Sequence, residues 1–277
     1  MTTDNIKSDT RPPTGEMLRL VSVDVDGCLS AGEAQPIDLD VLRYIGQLND
    51  RSRTDPLVPG ISFITGRGAE YVEVIIQLTR AYLPAIYECG AAALLPAEYR
   101  FVYSPFLDPE AFEHIRQARD LFWSKLGKTK RAYYQPGLEL TLSIFPLEPM
   151  TMDECRQEIQ ALYEPNQEQL MVQQARTCID VLPQGGGKGN GLRWLSELTQ
   201  LPFSALAGIG DSPNDLPFLE LVAFSGAPAN AHPDVKRLVD YVSPYPEAKG
   251  VRDFLNQCLA YNQERDTAQS GDAKIGA

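Results

Sequence analysis

Residues 20–30 read LVSVDVDGCLS, an apolar run that ends in two aspartates, one residue apart, and a glycine. A short run of this kind is typical of a strand buried in a parallel sheet. Because side chains alternate along a strand, Asp24 and Asp26 are expected to point the same way, just past the carboxyl end of the strand where open parallel sheets bind ligands. Two like charges this close require a positive partner.

Composition excludes several classes of function. The chain has 277 residues, 43% of them hydrophobic, with a formal charge of -12 and a pI near 4.7. Neither nucleic acid nor an anionic membrane is expected as a partner, and no apolar run reaches the ~20 residues of a membrane span. The 5 cysteines are scattered and include no C-x-x-C pair, so we expect reduced thiols and a cytoplasmic location. The N-terminal residues show no secretory pattern.

The sequence contains two kinds of secondary-structure pattern. Apolar runs and helical patterns alternate over residues 17–88 and 184–262 and predict a discontinuous Rossmann-like α/β core with a parallel sheet. Residues 89–183 read instead as a hairpin followed by helix, two strands, helix and two strands, which predicts an inserted α+β (αββαββ) domain. Residues 1–16 and 263–277 are expected to be flexible tails.

A second carboxylate pair follows the late strand FSALAGIG. The segment GDSPND carries Asp211 and Asp215 at the start of a helix. Helix capping explains one of them but does not require both. If their strand neighbours the first one, four carboxylates converge on one crevice, and oxygen ligands without histidine select magnesium. We therefore expect a Mg²⁺ site.

Two further segments suggest an anion site. FITGRGAE places Thr65 and Gly66 at a strand-to-helix turn, where a hydroxyl and backbone amides can hold phosphate. PQGGGKGNG places Lys188 before a helix, but it is not a P-loop, because Leu182 and Gly189 occupy positions that need Gly and Ser or Thr. The alternatives are an ordinary turn and a solvated lysine in a linker.

Taken in order, DVDGC, TGR, GGGKG and GDSPND resemble the four motifs of the haloacid-dehalogenase-like phosphatase superfamily. The insert resembles the type-2 (IIB) cap of sucrose-phosphate phosphatases, mannosyl-3-phosphoglycerate phosphatases and phosphomannomutases. The chain departs from the pattern at Cys28, where relatives more often have Thr or Val, and at YECGAA, which leaves the role of Glu88 open.

The resemblance implies a role for each motif residue. Asp24 resembles the nucleophile that becomes an aspartyl phosphate, and Asp26 the general acid and base. Lys188 would hold Asp24 and a phosphate oxygen, while Thr65 and the amide of Gly66 would hold another.

The resemblance also implies how the metal would be held. Magnesium would bind Asp24 and Asp211, with the backbone carbonyl of Asp26 facing it and Asp215 in direct contact or one layer behind.

Three functions follow. The first is a Mg²⁺-dependent phosphatase that acts on a small phosphorylated metabolite, either a sugar phosphate or a phosphoglycerate-type monoester. The alternatives are a phosphomutase on the same core and a non-catalytic binding or regulatory protein. The expected substrate contacts are Arg67, Arg131, Tyr133, Glu139 and Arg176. The alternative is that such side chains only cover the surface of a sheet. The sequence predicts no oligomeric state.

Overall fold

A computed structural model describes residues 16–275, with side chains described to residue 268. The strands are β1 Leu20–Val23, β2 Gly60–Phe63, β3 Ala85–Tyr87, β4 Ala92–Leu95, β5 Arg100–Tyr103, β6 Ala132–Tyr134, β7 Leu142–Pro146, β8 Leu170–Gln174, β9 Ile179–Pro183, β10 Leu206–Ile209, β11 Phe224–Ala227 and β12 Tyr241–Val242. The helices are α1 Leu39–Ser52, α2 Ala69–Thr79, α3 Ala111–Lys125, α4 Met152–Tyr163, α5 Lys188–Thr199, α6 Leu216–Leu219, α7 Pro233–Leu238 and α8 Glu247–Ile275.

The largest sheet is parallel and has the strand order β12-β11-β10-β1-β2. Its central strand β1 is buried along its whole length and lies in register with both neighbours, Val23 opposite Ile209 and Phe63. The segments that follow these three strands therefore leave the sheet at the same edge. This confirms the predicted α/β fold and brings the DVDG, TGR and GDSPND segments together.

Helices cover both faces of the parallel sheet, because β1 alternates its side chains between them. Val21 and Val23 pack in a core cluster with residues of α1, α2 and α8. Leu20, on the opposite face, packs in a second cluster with residues of α5, α6 and α7. The apolar strand is thus buried from both sides, as its sequence predicts.

A separate four-stranded antiparallel sheet has the order β6-β7-β9-β8. Helices α3 and α4 pack on one face of it through Phe122 and Ile159, against Ile144 and Val181. We call α3, β6, β7, α4, β8 and β9 the antiparallel unit (residues 111–183). Its element order is the predicted αββαββ.

The hairpin β4–β5 differs from the prediction in its pairing. It forms a three-stranded sheet with β3, and a bridge between Ile64 and Ile86 joins β3 to the segment after β2. Ala92 and Leu94 pack in the same core as β1. The hairpin is thus attached to the parallel sheet, so the expected boundary at residue 89 does not coincide with the change of sheet.

The chain ends also differ from expectation. Helix α8 continues to Ile275, whereas a flexible tail is expected from residue 263. Residues 263–275 contain no proline to end the helix, and Thr267 Oγ1 donates to the carbonyl of Gln263. Residues 1–15 of the predicted N-terminal tail lie outside the described residues, while Glu16 Oε2 accepts a hydrogen bond from Ser204. None of the helices described is both long enough and apolar enough for a transmembrane segment.

Candidate active site

The loop after β1 is shaped by Gly27. Its φ of +86° favours glycine, and a Cβ there would lie 2.0 Å from Oδ2 of Asp211. Asn230 Nδ2 donates to the carbonyl of Gly27 over 2.8 Å. The glycine of the DVDG segment therefore lets the loop after β1 approach the loop after β10.

Lys188 joins two of the predicted carboxylates at the centre of the site. Its Nζ lies 2.7 Å from Asp24 Oδ1 and 2.5 Å from Asp215 Oδ1, and all three side chains are buried. Burial and then the charge of Asp215 raise the pKa of Asp24 well above its ordinary value. Burial disfavours the charge of Lys188, but Asp215 and Asp24 raise the pKa of this lysine. Part of the positive charge that the aspartates require is thus supplied by the chain itself.

Asp211 offers an oxygen for a cation. Its Oδ1 is buried without a hydrogen-bond partner among the described residues, and ligand atoms of Asp24, Cys28 and Asp211 lie within 4.8 Å of one another. Burial and the nearby Asp215 raise the pKa of Asp211 to about 7. Burial also raises the pKa of the Cys28 thiol, which opposes the thiolate that a soft metal needs. The two carboxylates fit a hard divalent cation.

Asp215 contacts Lys188 and the loop after β10. While one carboxylate oxygen contacts Lys188, its Oδ2 accepts from the backbone amides of Asp211 and Ser212 over 3.0 and 2.9 Å. Both oxygens are therefore engaged by the protein, and of the two predicted positions for Asp215 this arrangement favours the one behind the ligands.

Asp26 is held by Arg67. The guanidinium Nε and Nη2 donate to Oδ2 and Oδ1 of Asp26 over 2.7 and 2.6 Å. The Arg67 guanidinium also lies 4.8 Å from the centre of the Tyr71 ring. This two-bond pair fixes the orientation of the Asp26 carboxylate.

Thr65 and Gly66 stand at the end of β2. Thr65 is fully buried, and its Oγ1 accepts from the amide of Arg67 over 3.1 Å. Gly66 lies in the wall of the cavity next to Asp24 and Lys188. Of the two residues, only Gly66 belongs to the described lining of the cavity, and Thr65 adjoins it in the chain.

A cavity of about 50 Å³ lies between the edge of the parallel sheet and the antiparallel unit. The core side contributes Asp24, Asp26, Glu33, Gly66, Arg67, Lys188, Ser212 and Asn214. The antiparallel unit contributes Gln135, Ser143, Phe145, Ala175, Arg176, Thr177, Cys178 and Asp180. The unit covers the carboxylates with a mostly polar surface.

The expected substrate contacts divide into two groups. Arg67 and Arg176 line the cavity. Arg131 instead pairs with Glu158 of α4 over 2.7 Å, and Glu139 accepts from Tyr103 Oη over 2.8 Å. Tyr133 is half exposed and stacks on Phe145 with 5.3 Å between ring centres. These last three side chains are absent from the described lining of the cavity. The partners of Arg131 and Glu139 do not line it either, whereas Phe145, the partner of Tyr133, does.

Two buried acids were not predicted. Glu88 has a φ of +46° and accepts from the amides of Glu139 and Leu140, which ties the core to the antiparallel unit. Asp180 faces the cavity from β9 and accepts from Ser143 Oγ over 2.6 Å. An acid inside the apolar strand CIDVLP was the signal that could have revealed Asp180.

Comparisons with known proteins agree with this geometry. The family described as haloacid dehalogenase-like hydrolase matches residues 134–255. A phosphoglycolate phosphatase of Methanothrix thermoacetophila is 38% identical over 30% of this chain, but the match spans only 37% of that protein. Phosphoglycolate phosphatase 1 of Saccharolobus solfataricus is 26% identical over 88% of this chain and 96% of its own.

A solved structure extends the likeness to the whole fold. A HAD/COF-like hydrolase of Plasmodium vivax superposes with a TM-score of 0.69 at 15% identity, over 91% of this chain and 97% of that one. At this identity the likeness concerns the fold alone. The family match over residues 134–255 confirms the resemblance to the haloacid dehalogenase-like superfamily that the four sequence motifs indicate.

Proposed function

We propose that this hydrolase is a Mg²⁺-dependent phosphatase that acts on a small phosphate monoester through an aspartyl-phosphate intermediate. One observation carries the proposal: the buried Asp24 carboxylate is joined to Lys188 and lies beside the unpartnered oxygen of Asp211. The matched relatives named phosphoglycolate phosphatases support a substrate of that size.

Asp24 is the proposed nucleophile. Its Oδ1 is engaged by Lys188, so its other oxygen is available to attack phosphorus in line. The new bond joins this oxygen to phosphorus while the bond to the leaving alkoxide breaks. Lys188, the Thr65 hydroxyl and the Gly66 amide would donate to the phosphate oxygens.

Asp26 is the proposed proton carrier. It would protonate the leaving alkoxide and then accept a proton from the water that hydrolyses the phosphoenzyme. In the structure each of its oxygens accepts one hydrogen bond from Arg67 and keeps a second lone pair that can take the proton. Arg67 is thereby a positioning residue for Asp26.

Asp24 and Asp211 are the side chains that would hold magnesium, with the Asp26 carbonyl as the expected backbone ligand. When bound, the ion supplies charge neutralisation for the transferring phosphoryl group. Asp215 keeps Lys188 and the loop after β10 in place.

The antiparallel unit is the proposed cap. It covers the cavity with Arg176 and Asp180 and would exclude water during transfer. A phosphomutase needs a second cationic pocket for a bisphosphate, and of the two arginines expected there only Arg176 lies against the cavity. This favours the phosphatase.

Phosphate release from p-nitrophenyl phosphate and 2-phosphoglycolate tests the proposal. The protein is stripped with EDTA and assayed with and without Mg²⁺, beside Asp24→Asn, which keeps the shape of the side chain but cannot attack. We expect turnover only in the wild type with Mg²⁺, and inhibition by Ca²⁺, whose coordination is larger and less regular. Turnover that survives EDTA, or that Asp24→Asn retains, would contradict the proposal.

A further inference from the structure

We propose that Arg176 recognises a carboxylate on the leaving group, so that the substrate is a short phosphorylated carboxylic acid. The inference rests on the proposed phosphatase function and adds the chemical class of its substrate. It depends on the charges that line the cavity and on the place of Arg176 between the cavity and a neighbouring groove.

The other two basic residues of the described cavity wall are already paired. Lys188 contacts Asp24 and Asp215, and Arg67 donates two hydrogen bonds to Asp26. Both cations therefore have carboxylate partners before any substrate enters.

Arg176 is different. Its closest described carboxylate is Asp211, with 3.8 Å between Nη1 and Oδ2, which is too long for a hydrogen bond. Its side chain keeps 36% of its exposure. A guanidinium with free donors at the wall of an anion site can bind a carboxylate with two parallel hydrogen bonds.

The position of Arg176 matches the leaving-group side of the cavity. It stands in the turn between β8 and β9 and lines both the catalytic cavity and a groove formed with Pro213 and His232. The next residue, Thr177, donates to Glu33 of the core over 2.9 Å, which anchors the turn. Arg176 thus lies on the cap side, opposite Asp24.

The size of the cavity limits what the guanidinium can meet. About 50 Å³ between Asp24 and the turn leaves room for a phosphate on a short chain. The one acid that the antiparallel unit contributes to the described lining, Asp180, is buried, and its Oδ1 accepts from Ser143 Oγ. A short leaving group that carries a carboxylate is what this arrangement fits.

Matched substrates test the inference. 2-Phosphoglycolate and ethyl phosphate share the phosphate and the first carbon, and only the former carries a carboxylate. We expect the wild type to prefer phosphoglycolate in kcat/KM. The ratio of kcat/KM for phosphoglycolate to kcat/KM for ethyl phosphate should fall about 10- to 100-fold in Arg176→Gln, because a charge-assisted pair is lost. Arg176→Lys should give a ratio between those of the wild type and Arg176→Gln. Arg156→Gln, on the exposed side of α4, is the control and should keep the wild-type ratio.

A binding measurement separates recognition from catalysis. Calorimetric titration of phosphoglycolate into Asp24→Asn, with and without Arg176→Gln, should show weaker binding in the double variant and no matching change for ethyl phosphate. An unchanged ratio in Arg176→Gln, or no preference in a wild type that hydrolyses p-nitrophenyl phosphate, would overturn the inference and leave the phosphatase standing. A wild type inactive on every ester with Mg²⁺ would overturn both.

Discussion

At the scale of single residues, Asp211 links folding stability to pH. Its pKa is raised from the ordinary 3.8 to about 7 by burial and by Asp215. Between these values the folded protein binds a proton that the unfolded chain has released. The stability contributed by this proton is present at low pH and is lost as the pH rises from about 4 to about 7.

We therefore expect the metal-free protein to lose stability over this range, by at most about 1.4 kcal/mol per pH unit from this group. Asp211→Asn should lose less stability over the same pH range, because its amide does not titrate. Excess Mg²⁺ should reverse the trend in the wild type, since the metal binds the ionised form. Denaturant unfolding at several pH values measures this. An equal dependence of the free energy of unfolding on pH in the metal-free wild type and Asp211→Asn would contradict this prediction.

Gly27 provides a second test at this scale. Gly27→Ala should abolish Mg²⁺-dependent hydrolysis and lower the free energy of unfolding by about 1–3 kcal/mol, since the new methyl meets the Asp211 carboxylate at a strained φ. Gly137 is the matched control: its φ of +83° is nearly the same, but a Cβ there meets nothing within 4 Å. Gly137→Ala should keep hydrolysis. Equal loss in both variants would assign the effect to backbone strain alone.

The sequence identifies the residues of the site better than their partners. Asp24, Lys188 and Asp211 are predictable because each follows a strand or precedes a helix in a recognisable segment. That Lys188 is shared by Asp24 and Asp215 is not predictable, because it depends on distances between loops. Arg131 was expected to face the crevice, but its ion pair with Glu158 depends on how α4 packs on the sheet.

At the scale of elements, periodicity predicts the long helices and the buried strands. It misses β3, because Ala85–Tyr87 is too short to show a period. Without β3 the hairpin β4–β5 has no visible partner in the core, and for that reason it was assigned to the insert. Strand pairing is a long-range property that a local pattern does not contain.

Glu88 connects two elements that periodicity treats as separate. Its buried carboxylate accepts from the amides of Glu139 and Leu140 and from Thr141 Oγ1. Glu88→Gln turns an acceptor into a donor against these groups. We expect a loss of about 1–3 kcal/mol in the free energy of unfolding and faster hydrogen exchange of the Glu139 and Leu140 amides.

An exposed glutamate serves as the control for this change. Glu98→Gln, at a side chain 58% exposed and paired with Arg100, should alter neither quantity. Unchanged exchange at Glu139 and Leu140 in Glu88→Gln would show that the carboxylate does not hold the two elements together.

At the scale of the whole molecule, the contacts between the core and the antiparallel unit are of two kinds. Glu88 accepts several hydrogen bonds on one side, while on the other the Thr177 hydroxyl is the one group that contacts the Glu33 carboxylate. The chain passes between core and unit through residues 104–110 and 184–187. Gly185 cannot be replaced freely as a hinge residue, since a Cβ there would lie 1.9 Å from the carbonyl oxygen of Phe106.

This asymmetry predicts that the antiparallel unit opens on the Thr177 side and pivots near Glu88. Spin labels at Asp40→Cys in α1 and Asp120→Cys in α3 can report the motion, since these side chains are 78% and 70% exposed. Cys178 adjoins Thr177 and lines the cavity, so the labels are introduced in a Cys178→Ser background, while the other native cysteines are fully buried. On the Asp24→Asn background, double electron–electron resonance should give a broad distance distribution in EDTA and a narrow one with Mg²⁺ and 2-phosphoglycolate, because the bound substrate joins the core to Arg176. Thr177→Ala should broaden the distribution, whereas one invariant narrow distribution in all samples would show that the unit is fixed.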